Sequence, residues 1–136
     1  MIDWTREVPR WVLLIVALYV TVLLFVGAAS HVADLVNSGL NPYPWAPSWL
    51  NLYWSSLAFL DPLAAVLLIA GRRGGVHLTC LIMATDLAAN AYAAYGVQHT
   101  DILAVSGLQR ITAFTLFVFL TAPFVRRHLS PAIGRR

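Results

Sequence analysis

Residues 11–29 read WVLLIVALYVTVLLFVGAA, an apolar run with no charge in it. As a helix rising ~1.5 Å per residue it would cover about 28 Å, close to the ~30 Å hydrocarbon core of a bilayer. A strand is excluded as the spanning form, because an open sheet leaves its backbone polar groups unsatisfied in lipid. Three more apolar runs follow. One extends from about Ser48 to Ala70, broken only by Asp61-Pro62; one from His77 to Tyr95, holding Asp86 and Asn90; one from Leu108 to Val125. The first continues its apolar pattern to about Val36. The expected fold is all-α: one transmembrane domain over residues 1–136, an antiparallel four-helix bundle of helices near 11–29 (reaching 36), 48–70, 77–95 and 108–125.

The composition agrees with that reading. The chain has 136 residues, 60% hydrophobic and 11% charged, with a mean hydropathy of +0.73. Soluble domains carry roughly 25% charged residues, so an ordinary soluble enzyme, a disordered tail and a disulfide-stapled secreted domain are all excluded. Cys80 is the only cysteine, which removes intrachain disulfides and cysteine-based metal sites.

The net charge of +3 comes from nine arginines and no lysine. These flank apolar runs rather than forming a basic face, which argues against a nucleic-acid partner. Arg6 and Arg10 precede the first run, Arg72-Arg73 join the second to the third, and Arg126, Arg127, Arg135 and Arg136 follow the fourth. Only Arg110 lies elsewhere, so the positive-inside rule places both termini in the cytoplasm. Trp4 and Trp11 then mark the inner interface, and Tyr43, Trp45 and Trp49 the outer one. The Ala-rich, lysine-free composition points to a bacterial cytoplasmic membrane. Arg6, Arg10 and the small residues Gly27-Ala28-Ala29-Ser30 also have the layout of a cleavable signal peptide, although Asp3 and Glu7 are unusual in its first region.

Between the first two runs, Gly39 is expected to close a helix with a positive φ, and Ser48 to cap the next. Pro42, Pro44 and Pro47 exclude helix between them. The expected result is a stiff interfacial loop anchored by aromatics, or a lid over a lipid-facing cavity.

The second and third runs form a hairpin about Gly71–Gly75. Asp61 lies nine residues before Ala70 and Asp86 nine residues after His77, so both carboxyls sit ~14 Å from the same boundary. Asn90 is one turn beyond Asp86 on the same face. Arg110 is ~22 Å from that boundary, with a side chain long enough to reach back towards Asn90 and Asp86. Trp54 and Gln109 complete the expected polar cluster. A charge at the bilayer centre costs about 2.5–3.5 kcal/mol on insertion scales, so these groups should face inward. One cation beside two acids predicts that one carboxyl is protonated or that the pair shares a proton. Pro62 strips the Ala58 carbonyl of its helical donor, a vacancy that Ser55 and Ser56 are placed to fill.

His31 and Asp34, spaced i,i+3, are expected to pair at the outer interface with Tyr43 and Trp45 nearby. No histidine pair has metal-ligand spacing, and no phosphate-binding loop, dinucleotide fingerprint or nucleophile elbow is present, so no metal or cofactor is expected.

The stretch from Trp49 to the mid-depth Asp61-Pro62, set in four helices with a long first outer loop, resembles the EXPERA group of sterol isomerases and sterol-binding receptors. That resemblance implies a sterol-like ligand. Members of the group generally carry further intramembrane glutamates, whereas the one glutamate here, Glu7, lies outside the apolar runs.

Three functional classes follow. The first is a structural or accessory membrane protein whose polar cluster fixes helix packing, alone, as a homo-oligomer or in a larger complex. The second is a binding protein, or EXPERA-like enzyme, for a small apolar or lipid-like ligand. The third is a proton-coupled carrier or channel subunit; comparing residues 1–70 with 71–136 reveals no internal repeat to favour it. A cavity reached by both aspartates would favour binding, and a packed interior with Asp86 bonded to Arg110 would favour scaffolding.

Overall fold

The computed structural model of the chain describes residues 3–131; Arg135 and Arg136 lie outside the described residues. Four long helices account for most of it, and no β-strand occurs among the described residues. They are α1 (Arg10–Ser38), α2 (Ser48–Ile69), α3 (Arg73–Tyr92) and α4 (Ser106–His128). Three of them, α1, α2 and α4, are long and apolar enough to cross a membrane. The more polar α3, which carries Asp86 and Asn90, falls short of that measure.

The outward faces explain the composition. Phe25 is 76% exposed, Phe59 74% and Leu120 72%. Large apolar side chains displayed on several helices at once mark a surface that meets lipid or protein rather than water. Small residues line the contacts between helices instead: Ala58, Ala64 and Ala65 on α2 and Ala89 on α3 are buried. They let helix backbones approach one another closely.

Two of the helices end on glycines with positive φ. Gly39 closes α1 with φ +66, as expected, and its N–H bonds the Leu35 carbonyl at 2.9 Å. Gly71 closes α2 with φ +68; its N–H meets Leu68 O, and the next N–H, of Arg72, meets Leu67 O, each at 2.9 Å. That pair of bonds satisfies carbonyls the helix leaves open. The chain then re-enters helix at Arg73, one turn before the His77 expected. At Gly75 a Cβ would lie 2.6 Å from the Leu68 backbone nitrogen, so only glycine permits this α2–α3 approach.

Ser48 is the first residue of α2 rather than its cap. Pro47 holds the cap position with φ −58 on its α1 counterpart Pro9 and −57 here. A proline ring already fixes the dihedral needed to enter the helix.

The segments around Trp4 and Ser130 converge on the α2–α3 turn. The Trp4 indole donates to Ile69 O at 2.9 Å and covers Gly71. Arg73 N bonds Ser130 O at 3.0 Å, Ser130 N bonds Gly71 O at 2.9 Å, and Arg73 Nε bonds Leu129 O at 2.8 Å. Arg6, Arg10, Arg72, Arg73, Arg126 and Arg127 therefore share one end of the molecule, hereafter the basic end.

Two helices carry π-helical turns, Val22–Ala28 within α1 and Ala93–Val97 at the end of α3. Such turns widen a helix locally and often accompany functional sites. Below its π turn, α1 packs on both α2 and α4, and the buried Tyr19 hydroxyl donates to Val118 O of α4 at 3.1 Å. From Val22 onward its principal neighbour is α2 alone. Helices α1 and α4 therefore part in the half of the molecule away from the basic end.

Candidate functional site

The gap between α1 and α4 is the site. Two adjoining cavities of about 350 Å³ each occupy it, sharing Val26, Gly27, His31, Asp86 and Ile111 as walls. The deeper one adds Val22, Asp61, Met83, Arg110 and Phe114. The shallower one adds Tyr43, Trp45, Trp54, Asn90, Ala93 and Leu108. Each π turn contributes to the lining, α1 through Val22 to Gly27 and α3 through Ala93 and Ala94. Together the cavities fall in the size range of sites for small organic ligands.

Asp61 reaches the deeper cavity from α2. It is 2% exposed, and its Oδ1 has no hydrogen-bond partner. Gly27 explains how a carboxyl fits there: a Cβ on that residue would fall on Asp61 Oδ2. Leaving a buried acceptor unpaired costs roughly 1–3 kcal/mol, more for a charged group, so the arrangement does not recommend itself as a packing device. Pro62 sits beside it without help from the neighbouring serines. Ser56 Oγ bonds Tyr53 O, and Ser55 Oγ is buried with no partner.

Asp86, on α3, stands in the wall common to both cavities. Asn90 Nδ2 donates to its Oδ1 at 2.8 Å and to its backbone oxygen at 2.9 Å, as the one-turn spacing implies. The Trp54 indole, which is only a donor, lies against the same carboxyl. The carboxyls of Asp61 and Asp86 thus face one cavity from two helices.

Arg110 contributes to the deeper cavity at its exposed mouth, yet among the described residues it is ion-paired to neither carboxyl within 4.0 Å. Gln109, expected in the cluster, points away. Its amide bonds Leu103 O in the preceding loop, because one residue's step around α4 turns it ~100° from Arg110.

His31 is half-buried in the shared wall with Nδ1 unpartnered. It does not bond Asp34. Instead Asp34 accepts a hydrogen bond from Tyr43 Oη at 2.8 Å. The proline-rich loop carrying Tyr43 is held by Asn51: Nδ2 bonds Tyr43 O at 2.8 Å and Ala46 O at 3.2 Å, and Oδ1 accepts from Tyr43 N at 2.9 Å. This fully buried amide makes the loop a fixed roof, with Tyr43 and Trp45 over the shallower cavity. Burial, followed by the hydrogen bond to Asp34 and its negative charge, pushes the Tyr43 phenol up to about 12.

Sequence reasoning missed Gly27, Ile111 and both π turns. Gly27 had a readable signal: a glycine inside an apolar helix costs about 1 kcal/mol against alanine, which calls for a close neighbour. The π turns had none.

Among the described residues no three His, Cys, Asp or Glu side chains gather as a metal-ligating group. Comparison of the chain with family models, curated proteins and solved structures finds no match.

Proposed function

We propose that the chain is a multi-pass protein of the bacterial cytoplasmic membrane, with four spans and both termini cytoplasmic, that binds a small, largely apolar ligand between α1 and α4. The observation that carries the binding reading is the unpartnered Asp61 carboxyl, buried yet lining a cavity that Asp86 also lines. A scaffold built on this cluster would pair its charges, because an uncompensated buried carboxyl weakens packing. A ligand with hydrogen-bond donors would supply the missing partner, and the apolar walls would hold the rest of it.

The surroundings support access from lipid. Val26 is 60% exposed where α1 departs from α4, and the deeper cavity lies along that seam. With six of the seven described arginines at one end, the basic end faces the cytoplasm and the Asn51-braced roof the outside. A short third span is compatible with this, since α3 is sheltered by contacts with both α2 and α4. The resemblance of Trp49 to Pro62 to a sterol-binding group agrees with an apolar ligand and assigns no chemistry.

The test is a titration of the protein in nanodiscs with 4-phenylbutanol, followed by tryptophan fluorescence, since Trp45 and Trp54 line the shallower cavity. A saturable change is expected that is lost in Ile111→Phe, which fills the wall shared by both cavities. A response that rises linearly and is identical in the two proteins would be simple partitioning into lipid, and would end the proposal.

A further inference from the structure

We infer that the polar end of this ligand is a protonated amine, held by Asp61 and Asp86 beneath the aromatic roof. The inference rests on the binding reading above and adds the chemical class.

Two carboxyls are the strongest acceptors in the cavity lining, and one oxygen of Asp61 has no donor at all. From α2 comes Asp61, with Oδ1 unpartnered; from α3, Asp86, served by Asn90 and by the Trp54 indole; from α1, the unpartnered His31 Nδ1. From α4 comes Arg110, the only cationic side chain in the lining, exposed at the mouth and outside ion-pair distance of both carboxyls. The loop's Tyr43 hydroxyl is already committed to Asp34. A primary ammonium offers three N–H donors and one positive charge, which matches this set. An alcohol offers one donor, too few to serve both carboxyls, and no positive charge. A carboxylic acid would bring a third negative group.

The roof supplies an independent feature. Tyr43 and Trp54 ring centroids are 5.0 Å apart, Tyr43 and Trp45 5.8 Å, and Trp45 and Trp54 6.3 Å, and all three side chains line the shallower cavity. Aromatic faces attract cations through their quadrupoles, most strongly where water is excluded. Asp86 lies in the wall that joins this roof to the deeper cavity, so a cation at Asp86 sits between the rings and Asp61.

Three isosteric probes test the assignment on the full chain in phosphatidylcholine nanodiscs: 4-phenylbutylamine, 4-phenylbutanol and 4-phenylbutyrate. The amine is expected to bind with a Kd on the order of tenfold below that of the alcohol, and the acid not to saturate. In Asp61→Asn the amine's advantage over the alcohol should shrink to within about threefold, a ratio read only on protein whose helicity and melting match wild type. Should that variant misfold, Asp86→Asn provides the same ratio, and the wild-type ranking of the three probes already decides. Equal or tighter binding of the alcohol would overturn the amine assignment while leaving the apolar-ligand reading intact. Saturation by the acid alone would overturn it in favour of Arg110 as the partner. No saturable binding by any probe would remove both readings together.

Discussion

Tyr43 joins three parts of the molecule through one side chain. Its backbone is clamped by Asn51 of α2, its hydroxyl donates to Asp34 of α1, and its ring lies against Trp45 and Trp54. The hydrogen bond needs the phenol proton, so its contribution depends on pH. With the folded-state value raised from 10.0 to about 12, the unfolded chain loses this proton first. Stability from Tyr43 should be complete below pH 10 and fall as pH rises from 10 to about 12. Denaturant titrations in detergent across that interval check this, with Tyr43→Phe expected to show a shallower decline. Sequence reading grouped Tyr43, Trp45, His31 and Asp34; in the structure Tyr43 contacts Asp34 and Trp45, and His31 lines the same cavity as Tyr43 and Trp45. It paired Asp34 with the wrong partner, because an i,i+3 spacing says two side chains share a helix face and not that either prefers the other.

At the scale of the element, α1 decides the site. Its π turn at Val22–Ala28 changes which face follows, and Gly27 within that turn brings α1 against Asp61. Gly27→Ala would ordinarily favour a helix by about 1 kcal/mol. Here the added methyl meets Asp61 Oδ2, so a net loss of roughly 1–3 kcal/mol is expected from overpacking. Unfolding measurements on Gly27→Ala, Asp61→Ala and the double variant would reveal it as coupling: the alanine at 27 should cost less once the carboxyl is gone. An equal cost in both backgrounds would place the strain elsewhere. The existence of α1, its apolar length and its end at Gly39 were all legible in the sequence. Its π turn was not, since one inserted residue rotates the following face by about 100° without altering composition or mean hydropathy.

At the scale of the whole molecule, the ends of the chain and the α2–α3 turn are tied into one basic end through Trp4, Arg73 and Ser130. The proposed orientation puts Ser130 inside the cell and Ser106 outside. In a Cys80→Ser background, a membrane-impermeant maleimide applied to intact cells should label Ser106→Cys and spare Ser130→Cys; the reverse pattern would invert the topology. The sequence by itself determined the apolar helices, the grouping of arginines at helix ends and the matched positions of Asp61 and Asp86 along the hairpin of α2 and α3. Those follow from residue type and from a rise of about 1.5 Å per residue, which neighbouring helices do not change. Only the tertiary structure decided that α1 leaves α4 beyond Thr21, that a cavity rather than a salt bridge fills the space, and that Gln109 faces away from it. Those outcomes depend on which backbones approach closely, at Gly27 and Gly75, and on where a helix is wound as π. The 11% of charged residues thus divides by origin: its distribution along the chain was readable directly, and packing decided that the buried Asp61 stays unpartnered.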